Sequence, residues 1–92
     1  MINLNKILGF EWDKWNIDKS YKKHGISPNE TEEVFLDEDV KIEKDIKHQQ
    51  QEERFIAIGK TTEEKILFVI FTVRHDKIRI ISGRIANKKE RE

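Results

Sequence analysis

The pattern of hydrophobic and polar positions predicts four β-strands after residue 39. Val40 and Ile42 alternate with charged residues, which is typical of a strand at the edge of a sheet. Residues 55–59 form a second short apolar run, and residues 66–73 form the longest one. Because this longest run hardly alternates, we expect it to be a central strand covered on both faces. Residues 78–85 are the fourth candidate.

Two short polar segments join the last three of these runs. Residues 61–64 and residues 75–77 are brief enough to be hairpin turns between antiparallel neighbours. The second half of the chain is therefore expected to form an antiparallel meander.

The first part of the chain predicts a helix and possible core anchors. Residues 9–15 mix aromatic and acidic side chains and can supply a short strand, with Trp12 and Trp15 as expected core anchors rather than base-stacking platforms. Residues 17–24 predict a helix that stops at Gly25, since glycine accepts the left-handed conformation at a helix end.

The sharpest local signal is a second helix start. Ser27 is followed by Pro28 at the first helical position and by Glu30 at the third. The serine oxygen can accept a backbone N–H while the glutamate reaches back to the cap. Val34 and Phe35 are expected to turn this helix toward the core, and the helix should end near Leu36.

These elements predict an α+β fold in which two N-terminal helices pack on a small antiparallel sheet of about four strands. Residues 86–92 predict a short basic C-terminal helix. Ninety-two residues without an internal repeat or a Pro/Gly/Ser linker suit a single domain. We expect that domain to span residues 1–92, with residues 1–9 as an N-terminal extension and residues 86–92 as a basic segment.

Composition narrows the class of protein. Charged residues make up 39% of the chain and hydrophobic residues 36%, so the surface is heavily solvated or the core is completed by a partner. There is no cysteine, which excludes disulfides and thiolate metal sites. No apolar run approaches the roughly 20 residues of a membrane span, and the first residues lack the apolar stretch of a secretion signal. We expect a cytoplasmic protein.

The net charge is zero, but it is unevenly distributed. Residues 74–92 carry seven basic and three acidic side chains, a net charge of +4. This basic fifth of the chain can serve a nucleic acid or an acidic partner, although a solvated strand edge and helix would look the same.

The sequence contains no motif for metal binding or for nucleotide hydrolysis. His24, His48 and His75 are scattered, without a second histidine or a cysteine at ligand spacing, so no metal or other cofactor is expected. No glycine-rich loop follows a strand, and no serine occupies a nucleophile elbow. His24 suits a helix end and His75 a hairpin tip, whereas His48 can act as an acid or a base.

Arginine is the remaining chemical signal. Arg74, Arg79 and Arg84 lie on or beside the last strand, and Arg54 opens the second one. A guanidinium on a sheet must face water, pair with a carboxylate or bind an anion, and its planar fork suits phosphate. In an unbroken strand Arg79 and Arg84 project to opposite faces, so they join one cluster only if a bulge intervenes, for example at Gly83.

Short motifs occur in a consistent order from residue 10 to residue 91. The first are Phe10-Glu11-Trp12-Asp13, Lys23-His24-Gly25-Ile26-Ser27, and Glu32-Glu33-Val34-Phe35 with Asp37. The later ones are His48, Glu52-Glu53-Arg54-Phe55, Ile58-Gly59, Arg74, Arg79-Ile80-Ile81-Ser82-Gly83-Arg84 with Ala86, and Glu90-Arg91. Each piece is weak alone, but the ordered set resembles the BrnT family of ribonuclease toxins of type II toxin–antitoxin systems.

The resemblance implies a RelE-like fold with helices on a small antiparallel sheet. It also implies RNA cleavage without a metal, inhibition of translation, and neutralisation by a BrnA-type antitoxin. Such an antitoxin has a ribbon-helix-helix DNA-binding part, and toxin and antitoxin commonly form a two-plus-two assembly that represses its own operon.

Together with the resemblance, the arginine set gives a hypothesis for the site. Arg54, Arg74 and Arg84 would hold the scissile phosphate, while Glu53 or His48 would accept the proton of the attacking ribose 2′-oxygen. Weaker candidates for binding RNA phosphates are Arg79, Lys88, Lys89 and Arg91. The alternative is a non-catalytic interaction module that docks a DNA-binding antitoxin and acts as a co-repressor.

Overall fold

The computed structural model describes residues 9–12, 25–46 and 53–92, in which the alternating apolar runs form strands of one sheet. The strands are β1 (Gly9–Trp12), β2 (Lys41–Lys44), β3 (Phe55–Lys60), β4 (Ile66–Arg74) and β5 (Lys77–Ile85). The helix α1 (Pro28–Glu33) continues into a 3-10 turn at Val34–Leu36. No helix in these described ranges has the length and apolar character to span a membrane.

The strands lie side by side in the order β1-β5-β4-β3-β2. Strands β2 to β5 form the predicted antiparallel meander, with β4 central and β2 at one edge. At the other edge β1 runs parallel to β5, with Gly9 opposite Lys77 and Trp12 opposite Ile80. The expectation of an antiparallel sheet of about four strands is therefore wrong, since the described residues form a mixed sheet of five strands. The extra strand comes from the N-terminal aromatic segment, which pairs with residues far away in the chain.

The helices also differ from the prediction. Within the described part of the chain α1 is the one α-helix, so two N-terminal helices packed on the sheet are not what the structure shows. The helix predicted at residues 17–24 lies outside the described residues, as does Trp15. The short C-terminal helix is wrong as well, because residues 88–91 form turns. In this segment one bond of the α-helical type joins Arg91 N–H to the Asn87 carbonyl at 3.1 Å, and one turn does not offset the cost of starting a helix.

The predicted start of α1 is confirmed. Ser27 Oγ accepts the Glu30 backbone N–H at 3.3 Å, and Glu30 Oε1 accepts the Ser27 backbone N–H at 3.1 Å. This reciprocal pair satisfies two donors that a helix end leaves open, and Pro28 needs no partner at the first position. The six-residue helix is too short to be stable alone, so its position depends on packing against the sheet.

Two glycines allow the helical segment to approach the sheet. A Cβ at Gly59 would lie 2.9 Å from both Val34 Cγ1 and the Val34 carbonyl oxygen, and a Cβ at Gly83 would lie 2.6 Å from Thr31 Cγ2. Val34 and Thr31 are both fully buried there. Gly59 and Gly83 therefore fix the close contact of α1 and its 3-10 turn with this face of the sheet.

We call this side of the sheet the inner face. Its buried apolar residues alternate along the strands and are Phe55, Ala57, Leu67, Val69, Phe71, Ile78 and Ile80. The Phe71 ring packs edge-on against Phe35 at 5.0 Å and stacks on Phe55 at 5.5 Å between ring centroids. The opposite side, the outer face, carries the half-buried apolar residues Ile56, Phe68 and Ile70. Residues 66–73 are thus covered fully on one face only.

Candidate functional site

A β-bulge in β5 brings two arginines to the same face. Ile80 lies opposite Phe71 and Ser82 lies opposite Ile70, so Ile81 is an extra residue without a partner of its own in β4. The insertion reverses the alternation, and Arg79 and Arg84 both belong to the outer face although they are five positions apart. A bulge is what this cluster required, but the extra residue is Ile81 rather than Gly83, whose missing side chain makes room for Thr31.

The same alternation places the other two arginines on the outer face. Val73 packs on the core, so its neighbour Arg74 points to the other side, opposite Lys77. Arg54 directly precedes the core residue Phe55 and therefore also faces outward. All four arginines predicted from the sequence thus share one side of the sheet.

Their register separates them along that side. Thr72 lies opposite Arg79, and continuing the β3–β4 pairing places Arg54 on the other flank of Thr72. These two arginines stand in one row across β4, about 10 Å apart at the backbone. Arg74 lies on β4 two positions beyond Thr72, whereas Arg84 lies opposite Phe68, four positions before Thr72. The backbones of Arg74 and Arg84 are therefore about 20 Å apart along the strand direction. The four arginines form an extended basic track instead of one pocket.

Arg84 is held by several contacts within this track. Its Nη1 and Nη2 donate to Glu90 Oε1 and Oε2 at 2.8 and 2.7 Å, and Nη1 also donates to the Ile85 carbonyl at 3.2 Å. The guanidinium carbon lies 4.1 Å from the centre of the Phe68 ring. This bidentate pair raises the pKa of Arg84, so the guanidinium stays charged.

Glu90 is in turn fixed by the residues around it. Its carboxylate accepts the Asn87 backbone N–H at 2.9 Å, and its own N–H donates to Asn87 Oδ1 at 2.9 Å. Hydrogen bonds from Arg84, followed by the one from Asn87, hold the pKa of the Glu90 carboxyl below its usual value, although partial burial opposes them. Glu90 and Phe68 were not predicted as partners of Arg84. The spacing of Asn87 and Glu90, which is that of a cap, was the available signal.

Glu53 and Thr72 anchor the entry of β3. The Thr72 hydroxyl, in a residue only 3% exposed, donates to the Glu53 carbonyl oxygen at 2.8 Å. The bond fixes the backbone beside Arg54. The Glu53 side chain is 62% exposed and lies 3.8 Å from Lys44 Nζ. His48, the other predicted proton acceptor, lies outside the described residues.

The C-terminal basic residues lie beyond the end of β5. Lys88 and Lys89 are exposed, and Arg91 lines a separate cavity of about 240 Å³ together with Asp37 and Lys60. Within the described ranges no group of three or more histidine, aspartate or glutamate side chains is placed to share a metal ion.

A cavity of about 500 Å³ opens on the outer face beside Arg84. Its residues include Ile56 together with Phe68 and Ile70, which belong to the run that was expected to be covered on both faces. The outer face therefore combines a basic track with an apolar recess. Such an arrangement can bind the phosphates of a polyanion through the guanidinium groups and an uncharged part of the same ligand in the recess.

Comparison with known proteins identifies a matching family model and a similar solved structure. Residues 12–90 match the family model described as ribonuclease toxin, BrnT, of type II toxin–antitoxin system. Among solved structures the chain is similar to the Brucella abortus ribonuclease toxin BrnT, a crystal structure at 1.1 Å resolution, with a TM-score of 0.66 and 23% sequence identity. That likeness covers 87% of this chain and 97% of the other, and shows a shared fold. A search of curated proteins returned no match.

Proposed function

The chain belongs to the BrnT family of ribonuclease toxins of type II toxin–antitoxin systems, and we propose that it is an endoribonuclease that cleaves RNA without a metal ion and so inhibits translation. The observation that carries the proposal is the alignment of Arg54, Arg74, Arg79 and Arg84 on one face of the sheet. A row of guanidinium groups along a strand suits the repeating phosphates of a single RNA strand.

The reaction is attack of a ribose 2′-oxygen on the adjacent phosphorus. The new 2′-oxygen–phosphorus bond forms as the bond to the 5′-oxygen of the next nucleotide breaks, which leaves a 2′,3′-cyclic phosphate and a 5′-hydroxyl. A base takes the proton of the 2′-hydroxyl, and the departing 5′-oxygen receives a proton. The phosphorane between these states carries extra negative charge, which guanidinium groups stabilise.

The register supports a division of roles among the arginines. Arg54 and Arg79 flank Thr72 in one row and hold the scissile phosphate from both sides. Arg74 and Arg84 lie too far apart to share that phosphate, so they contact the RNA on either side of it. Bonds within the described residues use three of the five N–H donors of Arg84, which leaves the guanidinium able to contact an anion while Glu90 holds it.

Glu53 and His48 remain the two candidates for the proton acceptor. Glu53 is supported by its place beside Arg54 and by the Thr72 bond that fixes its backbone. Glu53→Gln and His48→Gln variants distinguish the two candidates. Only the loss of the true base removes the part of the pH–rate profile in which the cleavage rate rises with pH. The C-terminal Lys88, Lys89 and Arg91 add non-specific attraction for RNA.

The test is RNA degradation by the purified chain in the presence of EDTA. We expect cleavage with 2′,3′-cyclic phosphate ends, and a loss of at least a hundredfold in rate for Arg54→Ala or Arg79→Ala, about the effect of removing one transition-state donor. Arg84→Ala should weaken RNA binding more than it slows the chemical step. Each variant needs a circular dichroism spectrum like that of the parent.

Two results would contradict the proposal. Cleavage abolished by EDTA and restored by a divalent cation would show a metal-dependent reaction. No cleavage of RNA or of ribosome-bound message, and no growth arrest on expression without a partner, would favour the co-repressor module instead.

The family implies an antitoxin partner. We propose that this partner is of the BrnA type, that it binds in a two-plus-two assembly, and that the assembly represses its own operon through the DNA-binding part of the antitoxin. Residues 1–92 act as a single toxin domain in this assembly. Co-expression followed by mass measurement of the purified complex tests the stoichiometry.

A further inference from the structure

The recess on the outer face has the volume of a small-molecule pocket and a partly apolar lining. Its volume is about 500 Å³, within the range of small-molecule pockets. The floor contains Ile56 and Ile70, which lie opposite each other on β3 and β4. The remaining sides are formed by Phe68 and Arg84 and, at and after the end of β2, by Lys44, Asp45 and Ile46.

Arg84 gives this recess a flat, charged wall. Its guanidinium lies over the Phe68 ring, and the two bonds to Glu90 fix the plane of the fork. Nucleobases stack on aromatic rings and on arginine planes, because both present a flat polarisable surface. Ile46 at the edge is 78% exposed, and a ring bound in the recess would cover part of this apolar side chain.

The arginines on the outer face indicate which kind of ligand would place a ring in the recess. The Ile56–Ile70 row lies two residues along the strand from the row of Arg54 and Arg79, about 6.6 Å away. A ligand in the recess therefore has guanidinium groups on both sides of it, at Arg84 and at the Arg54–Arg79 row. An uncharged small molecule would make no use of them, whereas a nucleotide within an RNA strand pairs its base with the recess and its phosphates with the arginines.

We infer that this recess is a nucleobase subsite, which accepts one unpaired base of the bound RNA between the Ile56–Ile70 floor and the Arg84–Phe68 stack. The inference rests on the proposed function, since it takes RNA to be the ligand of the basic track. It goes further in two respects. The RNA must be unpaired at this nucleotide, and the preference for a base comes from side chains that take no part in the chemistry.

The test measures binding without cleavage. The probes are fluorescein-labelled hexanucleotides with 2′-O-methyl groups throughout, which cannot undergo attack by the 2′-oxygen, and a set in which each position in turn is abasic. By fluorescence anisotropy, removal of the base at one position should raise Kd about tenfold for the parent chain, with smaller effects elsewhere. Because these probes are not cut, the result is independent of whether the chain cleaves RNA.

Two matched variants connect the effect to the recess. Ile56→Phe fills the cavity and should make Kd nearly the same with and without that base. Ile58→Phe is the control, because Ile58 lies on the same strand and the same face but does not line this cavity. If Ile56→Phe fails to fold, Phe68→Leu, which removes the ring under Arg84, takes its place with the same expectation.

The inference is overturned if the parent shows equal abasic effects at every position, or binds none of the probes. It is also overturned if Ile56→Phe keeps the base dependence of the parent. Weaker binding of the antitoxin by Ile56→Phe, with the base dependence intact, would assign the recess to the protein partner instead of RNA.

Discussion

The two faces of the sheet are made by the same strands but are used in different ways. On the inner face the side chains of β3, β4 and β5 are buried under α1 and its 3-10 turn, and glycines replace larger residues where the helix comes closest. On the outer face the apolar side chains stay half-exposed, and arginines stand beside them. A strand with a period of two can thus encode stability on one side and a binding surface on the other, so a substitution should reveal its role by the face it occupies.

Two phenylalanines on β4 offer the strongest test of this difference. Phe71 is fully buried on the inner face between Phe35 and Phe55, so Phe71→Ala should lower the free energy of unfolding by about 4 kcal/mol. Phe68 is half-buried on the outer face, where its ring contacts the Arg84 guanidinium, so Phe68→Ala should lower the free energy of unfolding by only about 1 kcal/mol. Urea unfolding followed by tryptophan fluorescence measures both.

Phe71→Leu serves as a milder variant if the alanine variant does not fold. Similar losses at the two positions would show that the outer face is as much a part of the core as the inner one. In that case the recess beside Phe68 is closed in solution and cannot bind a ligand.

The next test concerns the approach of the helix to the inner face. In Gly59→Ala the new methyl group meets the Val34 carbonyl oxygen as well as Val34 Cγ1, both 2.9 Å from the ideal Cβ position. A backbone atom cannot rotate away, so we expect a loss of about 2 kcal/mol in unfolding free energy. Gly9→Ala is the matched control, because that Cβ has no atom within 4 Å, and its effect should stay within about 0.5 kcal/mol. Equal stability of the two variants would show that α1 is not held at this distance.

Features encoded by neighbouring residues could be predicted from the sequence. The cap of α1 depends on Ser27 and Glu30, three positions apart, and its two reciprocal bonds follow from that spacing. The hairpin between β4 and β5 was also predicted, and its two central residues, His75 and Asp76, have φ values of 51° and 63° that match the twist of the strands. Local geometry determines both.

Features that depend on distant pairing could not be predicted. Strand β1 joins the sheet through its register with β5, and the bulge at Ile81 depends on how β5 lies against β4. At the candidate site, the four arginines could be selected from the sequence because a guanidinium group on a strand suits phosphate. Their common face follows only once that bulge is known, and the bonds from Arg84 to Glu90 depend on the fold of the C-terminal residues.

The smallest expected effect compares two ion pairs as a function of pH. The pKa of Glu30 is lowered by the hydrogen bond from Lys65 and by that from the Ser27 backbone, and the pKa of Glu90 is lowered by the bonds from Arg84. A carboxyl whose folded pKa lies below its unfolded value stabilises the fold above the unfolded pKa. That stability is lost as the pH falls through the folded pKa.

Unfolding free energies should therefore fall between about pH 5 and pH 3, because the usual pKa of both carboxyls is near 4.5. Glu90→Gln should remove less than about 1 kcal/mol at pH 7 and nothing at pH 2, since both partners are partly exposed to solvent. Glu30→Gln should follow the same course, with a remaining cap bond because glutamine also accepts hydrogen bonds at that position. Urea unfolding at five pH values measures the two differences. A Glu90→Gln difference that is the same at pH 2 and pH 7 would mean that Glu90 contributes by packing and not as a charge, and that Phe68 and the Ile85 carbonyl hold Arg84 without an ion pair.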